Sequence, residues 1–419
     1  MSTLSNARLG SANTYDAAVR NITTRQSALS ALQENLTSGK RVVRASDDPT
    51  SAAIAERALT RISRITTDQR ALASQVDAIT QAESTLGDVT DALQRFRELT
   101  VSAGNGANSP AERKTIAQEM QGLRDQIYAL ANQQDTNGQP LFSALGSALK
   151  PFVGPQAGTP DYTFDGLPGQ PASTGVSIAF ALDGDAAFML QPERDGVYNA
   201  TVSTTPPSHS FSTSAISVSD PTALTGDAYT ITIAAVDTTT IGGSTIVTYD
   251  VTPSFGPTVR WDAPSYPTGS TANIAINNNT GLAGLSMTLS GAPVVGDSVS
   301  IVASPSLFSV LDNAIKNIGN AADNNSAAQA VSQTLNNIDI GMQRVSAARG
   351  QAGELLNRAD RISGNQDKRS IQMEADRSRA EDLDMAKGIS DFQKQQTGYQ
   401  AALQTYAQIQ KLSLFDFIR

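Results

Sequence analysis

The 18 prolines divide this chain before any other pattern is consulted. All but Pro49 and Pro110 lie between Pro140 and Pro305, and those two follow Asp48 and Ser109, residue types that cap helix N-termini. Proline inside a helix removes a backbone donor and clashes with the preceding turn, but it is tolerated at the first helical position. The two flanks are therefore free to be helical over long distances, whereas the middle is not. Charge divides at the same borders: Pro140 to Pro305 holds 3 Lys/Arg against 12 Asp/Glu, so the net charge of -9 belongs to the middle and the flanks balance.

The middle alternates with period two. "DAYTITIAAV" (227–236), "STIVTYDVT" (244–252) and "DSVSIVA" (297–303) place Thr, Val and Ile at every second position between Gly, Pro and Asp turns, which predicts short strands. An acidic, Thr/Ser-rich β insert reads most simply as a well-solvated outward domain.

The flanks step by fours and threes. Ile62, Ile65, Leu72, Val76, Ile79, Leu86 and Leu93 form one seam, with Gln69 and Glu83 as polar members, and residues 52–103 could be a single helix of about 75 Å at about 1.5 Å per residue. After a capping box at Ser109 ("SPAE") a second seam runs Ile116, Met120, Leu123, Ile127, Leu130. A third runs Val331, Leu335, Ile338, Met342, Val345, Ala352, Leu356. Repeats of 3.5 predict helices packed side by side with knobs in holes. Aromatic residues are only 5% of the chain, so these helices should pack with small and aliphatic side chains.

The termini repeat the pattern. Tyr15, Ile22, Leu29 and Leu36, joined by Leu32, are matched by Met385, Phe392, Tyr399 and Tyr406, flanked by Ile389 and Leu403. Single helices are marginal in water, so both ends are expected to be mobile in a monomer and to order on association. The last nine residues, "KLSLFDFIR", carry Leu412, Leu414, Phe415, Phe417 and Ile418. Burying each such side chain is worth about 1.5 to 3 kcal/mol, so this tip should have a partner or fold onto its own bundle. The expected fold is α+β and mainly α: a long antiparallel helical bundle or coiled coil built from both termini, with an inserted β-rich domain. The expected segments are 1–47, 48–139, 140–305, 306–365 and 366–419.

Between the first two helical runs stands "LTSGKRVVRASDDPTSAA" (36–53). Gly39-Lys40 invites a phosphate-loop reading, but that motif needs a glycine at the position of Glu34. Read as punctuation, Gly39 ends one helix in a left-handed cap and Asp48-Pro49 begins another. Lys40, Arg41, Arg44, Asp47 and Asp48 could pair within or between subunits, or could simply be the solvated charges of a capped turn.

Several function classes are excluded or unsupported. There is no cysteine, so disulfides and thiolate chemistry are out, and a chain exported unfolded would suit that lack. No apolar run approaches the roughly 18 to 20 residues of a membrane span, and residues 1–20 lack the order of a cleaved signal peptide. The charge balance argues against nucleic acid. The single histidine, His209, lies in the Pro/Ser loop "TTPPSHSFS" with no evident partner and reads as a surface residue; Asp183 and Asp185 read as a Gly/Asp turn rather than a calcium loop. The alternating charges of "DKRSIQMEADRSRAEDLD", such as Arg377 and Glu381, read as a solvated helix face or a subunit contact. No catalytic, cofactor or metal site is expected.

The whole pattern resembles the flagellin superfamily: helical arms at both ends, a β insert, and "ANQQDTNGQPLFS" (131–143) closing the N-terminal half. Within it, "SGKRVVRASDDP" and "LQTYAQIQKLSLFDFI", together with "EDLDMAKGIS", resemble the hook-filament junction proteins, the third hook-associated proteins. The likeness covers roughly 8–141 and 307–419, and the insert carries no part of it. Relatives often open Met-Arg-Ile-Ser/Thr whereas this chain reads "MSTLSNARLG", so the resemblance implies a shifted start and leaves the export signal's residues open.

The resemblance implies a structural adaptor, exported through the flagellar type III apparatus to the distal end of the hook. It would stack on the first hook-associated protein and present a surface on which flagellin polymerises. It implies a spoke at Gly39 to Pro49, self-association through the terminal helices, and a cytoplasmic chaperone at the C-terminal helix near Phe392, Tyr399 and Tyr406. Reversing charge at Arg41 and Arg44 is then expected to impair assembly and leave the monomer intact. Alternatives are a minor flagellin or a surface adhesin whose insert binds through Trp261 and Tyr266, although such aromatics are ordinarily buried.

Overall fold

The computed structural model describes residues 3–417 apart from 159, 206–208 and 239–241, and side chains from 13 to 408 apart from 14 and those same gaps. The chain forms two compact units, one made of 1–70 with 363–419 and the other of 71–362. The boundaries fall inside two long helices.

In chain order the first elements are α1 (Thr3–Ser38), α2 (Pro49–Ala103) and α3 (Pro110–Ala131). Each start follows its sequence signal. Ser109 accepts from the Glu112 N–H at 3.3 Å while Glu112 accepts from the Ser109 N–H at 2.7 Å, a complete capping box. The short strands β1 (Phe152–Val153) and β2 (Thr163–Phe164) and the short helices α4 (Gly184–Phe188) and α5 (Pro192–Asp195) lead into the insert. After it come α6 (Leu307–Gly319), α7 (Asn324–Glu381) and α8 (Met385–Phe417). The fold is α+β and mainly helical, with an antiparallel β domain inserted between helical arms, as the sequence predicts.

In the 71–362 unit, α2 and α7 run antiparallel, and the seam position Glu83 is matched by Arg349 at 2.6 Å. Leu86, Leu93, Met120, Ile127, Leu311, Ile338 and Val345 are buried together. The core departs from the purely aliphatic packing expected. Phe142, Phe152, Tyr162, Phe188 and Phe308 gather into one knot with ring centroids about 5 to 6 Å apart. Few aromatics suffice because the segment between α3 and the insert folds its rings against α6 at a single place.

The insert has its own core. One sheet has the order β3 (Tyr198–Ser203), β12 (Ser298–Ala303), β6 (Tyr229–Asp237), β7 (Ser244–Pro253), β8 (Val259–Asp262), with β9 (Tyr266–Pro267) also on β7. The other runs β10 (Ala272–Ile276), β11 (Leu285–Gly291), β4 (Phe211–Thr213), with β5 (Ser217–Val218) on β11. All pairs are antiparallel, and alternate residues such as Ile231, Tyr249, Val251, Ile274, Leu289 and Ile301 meet between the two sheets. The three alternating segments read from sequence are β6, β7 and β12.

Amide side chains of α7 hold the insert. The Gln333 and Asn337 side chains both donate to the Tyr198 carbonyl, at 2.9 and 2.8 Å, and Gln333 accepts from the Ile216 N–H at 3.0 Å. Asn336 donates to the Ile216 carbonyl at 2.9 Å. Buried backbone groups at the sheet ends thereby find partners on a helix.

Candidate assembly interface

The spoke between α1 and α2 is built from short-range and very long-range bonds. Gly39, at φ 70°, takes the left-handed conformation that ends α1. The chain then pairs with the segment after α7: the Leu383 N–H donates to the Gly39 carbonyl at 2.9 Å, and the Arg41 N–H donates to the Glu381 carbonyl at 2.8 Å. Lys40 forms an ion pair with Glu381, which also takes Arg377 at 3.4 Å.

Arg41 donates to the Ala380 carbonyl at 2.7 Å, to Ser51 at 3.1 Å and to Asp48 at 3.2 Å. Arg44 reaches back to Glu34 of α1 at 2.7 Å. The Asp47 carboxylate accepts the Val43 and Arg44 N–H groups at 3.2 and 2.8 Å, while Asp48 accepts the Ser51 N–H at 3.1 Å and the Thr50 hydroxyl at 2.7 Å. Hydrogen bonds from Ser51, Thr50 and Arg41 hold the Asp48 carboxyl well below the usual carboxylate range. Pro49 follows as the first helical residue of α2. The bonds of Arg41 and Arg44 lie within the subunit, which revises the expectation that reversing both charges leaves the monomer intact.

The terminal helices α1 and α8 pair antiparallel. Tyr15 meets Tyr406 hydroxyl to hydroxyl at 2.7 Å, and Gly388 lies so close to Leu36 that an added Cβ would come within 3.2 Å of its methyl. Ile22, Leu29, Leu32, Leu36, Phe392, Tyr399 and Tyr406 are half-buried, whereas Tyr15, Ile389 and Leu403 remain exposed at 42%, 46% and 41%. Among the described residues of these two helices, only Gly388 is fully buried. Leu412, Leu414, Phe415, Phe417 and Ile418 of the expected interface lie outside the residues whose side chains are described.

The sequence reading missed Glu34, Ser51, Ala380 and Glu381 as spoke partners. Nothing local signals a contact between positions 341 residues apart, such as Lys40 and Glu381; only the antiparallel pairing of the two arms brings them together.

The other candidates fall to structural roles. His209 is not the unpartnered surface residue expected: its Nε2 lies 2.7 Å from the fully buried Asp297 carboxylate. Asp297 also accepts the Thr205 and Val294 N–H groups at 2.9 and 2.7 Å, so the pair staples two loops of the insert. Asp183 caps α4, accepting the Ala186 N–H at 3.3 Å. Trp261 sits 38% exposed on strand β8, and Tyr266 is half-buried. Arg377 and Arg379 pair within α7 with Glu374 and Asp376. Among the described residues no three His, Asp or Glu side chains converge as a metal site, and no helix is long and apolar enough to cross a membrane.

Comparison with known proteins matches the two flanks. The bacterial flagellin N-terminal helical region matches residues 11–146 and the C-terminal helical region 335–418, together more than half of the chain. The flagellar hook-associated protein 3 of Salmonella typhimurium is 35% identical over 147 residues, 35% of this chain and 46% of that protein. That of Escherichia coli is 37% identical over 141 residues, 33% and 44% of the two lengths. The match thus spans under half the length of these curated relatives. Among solved structures, the flagellar junction protein FlgL of Legionella pneumophila superposes at TM-score 0.56 with 26% identity, over 73% of this chain and 97% of the other. A flagellar hook associated protein-3 from the same organism gives 0.61 with 27%, over 76% and 97%.

Proposed function

This chain belongs to the bacterial flagellin family, and from that premise we propose that it is a structural subunit of the flagellum, the adaptor at the hook-filament junction on which flagellin polymerises. The observation that carries the reading is the α1–α8 pair. Two continuous apolar seams face one another, yet among the described residues no large side chain of either helix is fully buried. A helix pair so thinly covered gains most by packing against further copies of itself. The relatives named as hook-associated protein 3 support the junction position over the filament shaft.

The partners of this reading are other copies of the chain, the first hook-associated protein, flagellin, and a cytoplasmic export chaperone at α8. The residues assigned to assembly are the seam from Tyr15 to Leu36, its counterpart from Ile389 to Tyr406, and the tip from Leu412 to Phe417. The spoke from Gly39 to Pro49 sets the angle of the terminal pair, and the acidic insert faces outward. The five segments 1–47, 48–139, 140–305, 306–365 and 366–419 are the corresponding division of labour. The work is structural rather than catalytic, and the protein acts outside the cell, on the flagellum.

The test is electron microscopy of cells lacking the gene, with an assay for flagellin in the medium. Hooks without filaments and flagellin shed into the medium are expected. Intact filaments would overturn the junction role and leave a minor flagellin or an adhesin.

A further inference from the structure

The unit made of 1–70 and 363–419 carries a hole and a knob that do not meet within one molecule. The hole is a cavity of about 440 Å³ where the spoke turns into α2, walled mainly by Val42, Ala45, Pro49, Ala52 and Leu59, with Arg44 and Glu381, each already ion-paired within the chain, also in its lining. Glu56 stands in its lining, exposed, and its carboxylate makes no ion pair among the described residues. The knob is Ile371 on α7, 70% exposed. Lys368, three residues before it and hence on the same helix face, is exposed and likewise unpaired among the described residues. Ala375 and Ser378 continue that face as small side chains beside which another surface can approach closely.

Within one molecule the two cannot join. Glu381 lines the cavity and lies on the same helix as Ile371, about 15 Å further along at about 1.5 Å per residue, beyond the reach of an isoleucine. Arg44 and Glu381 at the hole and Glu374 at the knob are already paired within the chain, which leaves Glu56 beside the one and Lys368 beside the other as the matched charges. Two different, complementary patches on one chain make a head-to-tail contact, the kind that builds rings or open helical arrays rather than closed pairs. We infer that Ile371 of one copy seats in the spoke cavity of the next, with Lys368 pairing with that copy's Glu56. The inference rests on the self-association proposed above and names one of its surfaces.

The full chain has no cysteine, so thiols can be placed at will. Under mild oxidation in conditions of association, a mixture of Ile371→Cys and Leu59→Cys chains should give a disulfide-linked heterodimer. Ile371→Cys mixed with Val101→Cys, another exposed position, should not. By sedimentation, Ile371→Ser should raise the concentration of half-association about tenfold or more. Glu56→Lys and Lys368→Glu should each raise it roughly two- to fivefold, and the double reversal should restore it. These charge variants lie on exposed helix faces, so they report on the contact even if the serine variant folds poorly. Association of the Ile371→Ser chain at the wild-type concentration, with no heterodimer, would overturn this surface while leaving self-association standing. A wild-type chain that stays monomeric at every concentration would instead remove the self-association reading, and this contact with it.

Discussion

Tyr15 and Tyr406, 391 residues apart in sequence, share a hydroxyl–hydroxyl hydrogen bond of 2.7 Å with ring centroids 5.5 Å apart. The contact joins two seven-residue repeats at opposite ends of the chain and aligns α1 antiparallel to α8. The bond to Tyr15 raises the Tyr406 phenol above its ordinary value, since a hydroxyl that donates resists losing its proton.

The first prediction concerns how firmly that pair is held. With so little apolar surface covered, opening α1 and α8 should cost far less than opening the core around Ile79 and Leu93. Amide exchange of the monomer should be fast over 13–36 and 385–408 and slow over 79–99. Equal protection in the two regions would contradict the thin packing described.

Arg41 and Arg44 should behave differently despite their shared sequence motif. Arg41→Glu loses three partners and sets a carboxylate against Asp48, so it should loosen the spoke in the monomer and speed exchange of the amides near Ala380. Arg44→Glu loses only an exposed pair with Glu34 and should leave the monomer nearly unchanged. Denaturation and exchange of the two variants side by side decide it; indistinguishable profiles would refute the distinction.

In the insert, Asp297→Ala should be much worse than His209→Ala. The first leaves the part-buried Thr205 and Val294 N–H groups without their acceptor, at about 0.5 to 1.5 kcal/mol for each hydrogen bond lost, whereas the second removes one partner from a carboxylate that keeps its backbone bonds. Chemical denaturation followed by the fluorescence of Trp261, the single tryptophan, reads the insert directly. A larger loss for the histidine variant would show that the charge pair, not the loop staple, dominates.

Asp312 gives a pH dependence with a definite sign. It packs against Tyr162 at 2.6 Å and Arg124 at 2.7 Å, yet burial outweighs both and pushes its carboxyl above the ordinary 3.8. A folded state that holds the proton to higher pH than the unfolded state loses stability as pH rises from 3.8 through the folded value. Asp312→Asn should therefore flatten the fall of stability in that window. Asp48 and Asp323, both held below their ordinary value, act on the other side, their contribution being lost as pH falls below 3.8. An unchanged slope above 3.8 in the Asp312→Asn chain would refute the burial argument.

Much of the architecture is written locally. Proline placement, the Ser109 capping box, the Asp48-Pro49 start, the seams at intervals of 3.5 and the period-two runs of β6, β7 and β12 each act over a few residues, so the bare chain displays them. The spoke was legible as a joint, though not as a joint with partners. The pairing of Lys40 with Glu381, the stapling of His209 to Asp297, the amide bonds from Gln333 and Asn337 to the insert, and the gathering of Phe142, Phe152, Phe188 and Phe308 appear only in the folded molecule. Helix and strand preferences are short-range and repeat along the sequence, whereas a hydrogen bond or ion pair is decided within a few tenths of an ångström. Which distant residues come that close depends on how all the preformed elements pack at once.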